Sequence, residues 1–260
     1  IFEKNVVNIK ANKELIEDSF KKIAHRGNQN IDSHYDDKWA LLFKRLKTDS
    51  KQIQPYYCKK NNLIIAIDGE IYNQYEISKS FDYFSENINE TIGHIYKKKG
   101  RNFTSLLNGM FALVIIDLEK KKVIVSKDKL GLKPLFYYQD NDKFIFSSEI
   151  KAIGHYIGGL QIDYENSINS IFMAGRPPYG KTHFKKVNDL EQSSLIELDM
   201  SIFKIRLEKY FDISEWIDEN KYNYNKKVNQ NDLAQIYYDA FHNIIKNYMN
   251  TDISVGNLFS

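Results

Sequence analysis

Residues 110–149 read MFALVIIDLEKKKVIVSKDKLGLKPLFYYQDNDKFIFSSE, and this stretch decides the fold. Runs rich in Val, Ile, Phe and Tyr predict β-strands at 110–117, 122–128, 134–139 and 143–149. The connections are short, and the polar pair at Asp140 suits a hairpin, so the strands are expected to pair antiparallel. Runs that are apolar on both faces indicate a sheet covered on both sides. Because helical patterns precede these strands, the predicted class is α+β with helices outside the sheets.

The composition is that of a globular protein with a substantial core. The chain has 260 residues, 42% of them hydrophobic, and only 4 prolines and 12 glycines, which argues against a long disordered region. The net charge of +3 gives no argument for a nucleic-acid or membrane partner. The lone cysteine, Cys58, excludes an internal disulfide and a cysteine metal cluster, so a cytoplasmic location and no metal are expected.

The segment before residue 110 is predicted to alternate strands and helices. The expected elements are a strand at 1–9, a helix at 13–24, strands at 39–43 and 62–67, and a helix at 90–99. The first helix would end at His-Arg-Gly, where Gly27 can take the left-handed cap conformation. The second would end on lysines that face the negative end of the helix dipole, and Gly100 would stop it.

The character of the chain changes after about residue 205. A polar linker is expected at 221–231, followed by an amphipathic helix at 232–249 and a strand at 253–259. So short a segment cannot bury a core of its own. The sequence therefore predicts one domain over 1–205 and an incomplete second unit over 206–260.

Several short motifs occur in one order along the chain. They are HRG (25–27), RL (45–46), QP (54–55), DGEIYN (68–73), GMFAL (109–113), KDKLGLKPLFYY (127–138) and SSEIKAI (147–153). This ordered set resembles the glutamine-hydrolysing asparagine synthetase family, and the likeness extends over nearly the whole chain. The resemblance implies a class II glutamine amidotransferase domain followed by the start of an ATP-pyrophosphatase-type synthetase domain. The implied fold is the N-terminal-nucleophile four-layer αββα sandwich, followed by the first helix and strand of an α/β domain.

The resemblance also implies a reaction. In the family, the first domain hydrolyses glutamine, and the ammonia amidates an aspartate that ATP and Mg²⁺ have activated. The nucleophile is an N-terminal cysteine whose own amine serves as the base. Here the chain opens with Ile1 and Cys58 is internal, so no nucleophile is visible, and a cysteine would have to precede Ile1. Glutaminase activity of this chain is accordingly in doubt.

The glutamine pocket is carried over from the family residue by residue. Arg45 matches the arginine that pairs with the glutamine carboxylate, a role that suits a forked guanidinium. Gly69 would present its backbone N–H to the substrate, and Glu70 would help to hold it. The implied glutamine-binding residues are Arg45, Thr48, Asp49, Asp68, Gly69 and Glu70.

Two residues depart from the family pattern. Asp68 replaces an asparagine that donates a hydrogen bond to the oxyanion, and an ionised carboxylate cannot donate. Losing that donor costs about 3 kcal/mol of transition-state stabilisation, and a carboxylate facing the oxyanion would add up to about 4 kcal/mol of repulsion. Ile88 stands in NINE (87–90) where the family has an aspartate that pairs with the substrate ammonium.

The C-terminal residues resemble the strand that leads into the pyrophosphate loop of the synthetase. Phe259 and Ser260 match positions near the bound ATP in the family, but the glycines of that loop lie beyond the chain. ATP and Mg²⁺ are therefore expected cofactors of the full-length parent and not of these residues alone.

Two functions remain open. In the first, the chain supplies ammonia for the amidation of aspartate. In the alternative, it is an inactive glutaminase-like scaffold of a synthetase that uses free ammonia or closes a ring, as β-lactam and lasso-peptide synthetases do. A pure binding module has no feature in its favour. The expected partners are glutamine, and aspartate and ATP through the synthetase domain, with a homodimer as in the family.

Overall fold

The computed structural model describes residues 1–27, 30–46 and 54–248. Residues 247 and 248 are described as backbone only. The strands are β1 (Phe2–Glu3), β2 (Ile31–Tyr35), β3 (Ala40–Lys44), β4 (Tyr56–Cys58), β5 (Leu63–Ile71), β6 (Gly109–Asp117), β7 (Lys122–Lys127), β8 (Phe136–Gln139), β9 (Lys143–Ser147), β10 (Val187–Asp189), β11 (Ser194–Asp199) and β12 (Lys204–Lys209). The helices are α1 (Lys13–Lys21), α2 (Gln74–Ser80), α3 (Ile88–Lys99), α4 (Ile150–Tyr156), α5 (Tyr164–Phe172), α6 (Glu219–Asn225) and α7 (Gln230–Tyr248).

The strands form two main sheets. One has six strands in the order β12-β11-β7-β6-β5-β4, and the other has four in the order β1-β9-β8-β10. Neighbouring strands in both sheets run antiparallel, as expected. The Asp140 N–H donates to the Lys143 carbonyl at 3.0 Å, which closes the expected hairpin between β8 and β9. Strands β2 and β3 form a separate two-stranded ribbon.

Three apolar clusters define the layers. Because successive residues of a strand point to opposite faces, neighbouring residues of β5 belong to different clusters. The cluster between the two sheets contains Phe2, Ile64, Val114, Phe144 and Ile196. The outer face of the six-stranded sheet packs Ile65 and Leu113 against Ile92 and Ile95 of α3. The outer face of the four-stranded sheet packs Ile145 against Ile16 of α1 and Ile153 of α4. These clusters confirm the αββα order of layers.

The N-terminal elements are shorter than the sequence predicts. After β1 the chain leaves the sheet, and the Asn8 side chain caps a 3-10 turn over Ile9–Asn12. Helix α1 ends at Lys21 because the next amides bond three residues back, with Ile23 N–H donating to the Phe20 carbonyl at 3.0 Å. The expectation for Gly27 is wrong, since its φ of −146° is extended. Gly100 has the positive φ of 57° expected at a helix end.

The described residues divide into two compact units. Those up to Tyr210 form the first, and those from Phe211 form the second. Residue 205 lies inside β12, which pairs along its length with β11, so the described chain divides after the position expected from the sequence. The sheets and the candidate site belong to the first unit.

The second unit is helical where it is described. Asp212 and Glu215 form a capping box at a short 3-10 turn. The expected linker at 221–231 is partly helical, because the Asp218 side chain accepts the Lys221 N–H and begins α6. The predicted strand at 253–259 lies outside the described residues. None of the helices in the described ranges combines the length and the apolarity needed to cross a bilayer.

Candidate functional site

Asp68 lies near the end of β5, on the strand face that looks toward the four-stranded sheet. Ile64 and Ala66 point into the cluster between the sheets, and alternation brings the half-buried Asp68 side chain to the same face. Its carboxylate is paired with two cations. Arg26 Nη2 lies 3.2 Å from Oδ2, and Lys133 Nζ lies 3.4 Å from Oδ1. The Asp68 carboxylate is therefore not an isolated negative charge.

Arg26 also contacts a second carboxylate, that of Glu149. His25 Nε2 lies 2.9 Å and Arg26 Nη1 3.7 Å from Glu149 Oε1, and Lys151 Nζ lies 2.8 Å from Oε2. Burial opposes ionisation of Glu149, but the hydrogen bond from Lys151 and the nearby His25, Lys151 and Arg26 side chains outweigh it and hold its pKa below the ordinary value. The turn after α1 is thereby tied both to β5 and to the start of α4.

Gly27 explains why this turn can come so close to β3. A Cβ atom on Gly27 would lie 2.6 Å from the Lys44 carbonyl oxygen and 2.7 Å from that of Arg45. Only a residue without a side chain fits there. The approach brings the backbone next to Arg26 against the backbone of Arg45, a half-buried residue directly after β3.

Lys133 is positioned by Asp128, which is fully buried. Asp128 Oδ1 accepts the N–H groups of Leu130 and Leu132, both at 3.0 Å. Its Oδ2 accepts those of Phe111 and Lys133, both at 3.2 Å. Asp128 thus folds the loop between β7 and β8 onto β6, and it sets the place from which Lys133 reaches Asp68.

Gly69 occupies a position that no other residue could take. Its φ is 128°, and a Cβ atom would lie 1.9 Å from the Met110 carbonyl oxygen. Gly109 on β6 is in a similar position, since its Cβ atom would lie 2.1 Å from the Glu70 carbonyl oxygen. The two glycines allow the paired ends of β5 and β6 to approach closely beside Asp68. The Glu70 side chain itself is exposed.

Ile88 and Glu90 lie at the start of α3. Ile88 is buried in the apolar cluster on the outer face of the six-stranded sheet, the opposite face from Asp68. Glu90 accepts hydrogen bonds from Tyr56 Oη at 2.5 Å and Ser85 Oγ at 2.8 Å. These two bonds lower the pKa of Glu90. The described geometry gives Glu90 a structural role that links α3 to β4.

The remaining residues proposed from the sequence are not described, and the internal cysteine lies away from the site. Thr48, Asp49, Phe259 and Ser260 lie outside the described residues. Cys58 is buried in the cluster beside α3, away from Asp68's face of the sheet. Within the described ranges, no group of three or more His, Cys, Asp or Glu side chains is arranged to hold a metal ion.

Sequence reasoning missed the partners of Asp68. Arg26 and Lys133 stand in HRG and KDKLGLKPLFYY, motifs quoted above for the resemblance, but neither motif by itself indicates a partner for Asp68. The available signal is chemical, because a half-buried carboxylate requires a cation or a donor nearby. Gln54 was missed as well. Its buried side-chain oxygen accepts the Ile67 N–H at 2.6 Å, directly before Asp68.

Comparison with known proteins identifies the family. The model of the glutamine amidotransferase domain family matches residues 4–211. The chain belongs to this family. The matched range includes all the strands described here except β1, and it ends two residues after β12.

Curated relatives are glutamine-hydrolysing asparagine synthetases. Asparagine synthetase 2 of Bacillus subtilis is 25% identical over 244 residues, which are 90% of this chain and 32% of that protein. A putative asparagine synthetase 2 of Methanocaldococcus jannaschii is 32% identical over 206 residues, 76% of this chain and 38% of that protein. The chain thus spans about a third of the length of these relatives. The predicted family is confirmed.

A solved structure supports the fold. The glutamine phosphoribosylpyrophosphate amidotransferase of Bacillus subtilis matches with a TM-score of 0.55 and 15% identity, over 76% of this chain and 46% of that one. At this identity the likeness concerns the fold alone. It confirms the expected N-terminal-nucleophile type of sandwich for the amidotransferase domain.

Proposed function

We propose that this amidotransferase domain belongs to an asparagine synthetase-like ligase and that its own glutaminase site is impaired. The parent reaction would be the ATP- and Mg²⁺-dependent amidation of aspartate. Asp68 carries the proposal, because it stands at the family's oxyanion position as a carboxylate paired with Arg26 and Lys133. In this proposal Arg45, Thr48, Asp49, Gly69 and Glu70 remain the other parts of the glutamine pocket.

The charges around Asp68 determine how far the rate of glutamine hydrolysis is reduced. The two cations offset the repulsion that an unpaired carboxylate would exert on an oxyanion. The loss of the asparagine donor remains, and it corresponds to about 100- to 1,000-fold in rate. Each cation directs one N–H donor at an Asp68 oxygen.

The alternative keeps the fold and omits glutamine hydrolysis. In it, the domain is a scaffold of a synthetase that uses free ammonia or closes a ring. Ile88 favours this function, because a buried isoleucine offers no partner to the ammonium of a bound glutamine. A cysteine nucleophile, if the protein has one, would precede Ile1, and mass spectrometry of the mature N-terminus would identify that residue.

Several further expectations stay predictions. ATP binding is assigned to Phe259 and Ser260, and aspartate binding to a synthetase domain such as the relatives have. The homodimer rests on the family alone, and the cytoplasmic location rests on the lone cysteine.

Parallel assays on the full-length protein test the proposal. Asparagine formation from aspartate and ATP is measured with ammonia and with glutamine as nitrogen source, beside direct glutamine hydrolysis. We expect synthesis with ammonia to exceed synthesis with glutamine by about 100-fold or more. Glu197→Gln, which removes the ion pair with Lys122 on β7, serves as a control that leaves this ratio unchanged. Equal rates with the two nitrogen sources would contradict impairment, and a ring-closed product without asparagine would favour the alternative.

A further inference from the structure

Helix α5 turns its apolar side chains away from the sheets of the amidotransferase domain. Tyr164, Ile168 and Phe172 follow one another at intervals of four residues, so they form one stripe along the helix. Ile171 and Met173 extend this stripe at its C-terminal end. All five side chains are more than half exposed, at 70% for Tyr164, 56% for Ile168, 74% for Ile171, 84% for Phe172 and 54% for Met173. These five residues are called the α5 face.

The side of α5 that packs on the domain is polar. Ser170 is buried, and its Oγ donates to the Ser167 carbonyl at 2.7 Å. Ser167 Oγ lies 3.4 Å from His183 Nδ1, and Asn166 is half-buried. An ordinary surface helix has the reverse arrangement, with its apolar stripe toward the core. The α5 face belongs to none of the apolar clusters of the described residues, and a contiguous apolar patch of this kind marks a contact surface.

Charged residues stand at the two ends of the α5 face. Glu165 lies in the first turn of the helix. Arg176 follows the last turn, where the Gly175 N–H folds the chain back by donating to the Ser170 carbonyl at 2.8 Å. Both charged side chains are exposed. Neither takes part in an ion pair within the part of the chain that the structure describes.

We propose that the α5 face is the contact surface for a second copy of this chain, with the two helices antiparallel about a two-fold axis at Ile168. Tyr164 and Phe172 each stand four residues from Ile168, so this arrangement packs Tyr164 against Phe172 of the partner subunit. It also brings the Glu165 carboxylate toward Arg176 of the partner subunit, whereas parallel helices would set like charges side by side. The inference does not depend on the glutamine site, and it assigns a surface to the homodimer expected from the family.

The extent of the α5 face fits a dimer contact. Five large side chains that are more than half exposed present on the order of 600 Å² of apolar surface. A stable contact buries about 800 Å² on each partner and surrounds an apolar centre with a polar rim. Glu165, Asn169 and Arg176 are the exposed polar residues that border the face and supply such a rim.

Sedimentation velocity of the full-length protein tests the charge pairing. We expect a dimer, and Glu165→Arg or Arg176→Glu alone should weaken it about tenfold or more, since each variant sets like charges together twice in the symmetric contact. An equimolar mixture of the two variants should restore the native affinity, because each subunit then meets opposite charges. Glu86→Arg makes the same change in charge at an exposed carboxylate elsewhere and should leave the dimer unchanged. A monomer, or a mixture no tighter than the single variants, would overturn the proposal.

Ile168→Cys in the full-length protein tests the position of the two-fold axis. A residue on the axis meets its own copy, and antiparallel helices in contact bring such a pair within disulfide range. With diamide as the oxidant, we expect a covalent dimer on a non-reducing gel, and none from Glu86→Cys or through the buried Cys58. Adding Phe172→Ser should abolish the cross-link and leave the circular dichroism spectrum unchanged, because Phe172 is mostly exposed.

The alkylation rate of Ile168→Cys distinguishes the two ways in which the proposal can fail. No cross-link together with slow alkylation would show that another part of the polypeptide covers the α5 face. No cross-link together with rapid alkylation would show that the face is open to solvent. Either result contradicts a contact between two copies of the chain.

Discussion

Asp128 is a carboxylate with no exposed surface and four backbone N–H donors. Asp128→Ala leaves those donors buried without an acceptor. We expect the free energy of unfolding to fall by about 3–5 kcal/mol, as measured by chemical denaturation. Asp142→Ala is the matched control, because Asp142 is exposed and accepts from Asn5 Nδ2 at the surface; it should cost less than about 1 kcal/mol. Equal losses in the two variants would show that the Asp128 bonds contribute little.

Substitutions at Gly69 and Gly158 distinguish the cost of a steric clash from the cost of a strained backbone conformation. Both have positive φ, 128° and 80°, but a Cβ atom would meet the Met110 oxygen at 1.9 Å in the first case and nothing within 4 Å in the second. Gly158→Ala should lower the free energy of unfolding by about 1–2 kcal/mol, the cost of the conformation alone. Gly69→Ala should cost at least about 4 kcal/mol or prevent folding. Thermal unfolding followed by circular dichroism compares them, and similar Tm values would contradict the close approach of β5 and β6.

Helix α3 is joined to β4 by a hydrogen bond whose strength depends on pH. The Tyr56 and Ser85 hydroxyls lower the pKa of Glu90 from its ordinary value of 4.5, and the same bond raises the pKa of Tyr56 to about 12. A carboxylate with a lowered pKa stabilises the fold above its unfolded pKa and loses that contribution as the pH falls. Glu90→Gln should therefore lower the urea midpoint at pH 7, and the gap to the native protein should shrink below about pH 4.5. The Glu86→Gln control should show no such change, and a gap that grows toward low pH would refute the assignment.

The elements themselves could be predicted to the extent that local patterns determine them. The strands at 110–117, 122–128 and 143–149 are found within two residues of their expected ends, because each is an apolar run bounded by polar turns. The strand expected at 1–9 shrinks to Phe2–Glu3, since Asn8 competes for backbone groups and begins a turn. Gly27 was misjudged because its requirement is a close approach to β3, which no local pattern shows.

At the scale of the whole molecule, the first unit should fold without the second. A chain of residues 1–210 retains both sheets and the bond from Tyr210 Oη to the Lys127 carbonyl, at 2.7 Å. We expect it to unfold in one cooperative transition. A chain of residues 1–205 lacks most of β12 and that bond, and its free energy of unfolding should be lower by about 3 kcal/mol or more. Guanidinium denaturation of the two chains makes the comparison, and equal midpoints would support a boundary at 205.

The site could be only partly predicted, because its charges come together from segments far apart in the chain. DGEIYN identified Asp68 and Gly69 as unusual, and the structure shows both to be so. The pairing of Asp68 with Arg26 and Lys133 depends on how the turn after α1 and the loop before β8 pack at one end of β5. That packing is tertiary and has no signature in any one segment. The sequence therefore indicated a carboxylate in an unfavourable place and not the cations that stabilise it.

The close approach of β5 and β6 at Gly69 and Gly109 limits which residues these two positions accept. Any other side chain at either glycine would collide with the neighbouring backbone, so both positions require glycine for folding alone. The fold does not constrain residue 68 in this way, because Arg26 and Lys133 can pair with a carboxylate at that position. A protein of this fold that no longer hydrolyses glutamine would then keep the glycine of the DGEIYN motif. The presence of Gly69 beside residue 68 therefore indicates the fold, and it carries no information on whether glutamine is hydrolysed.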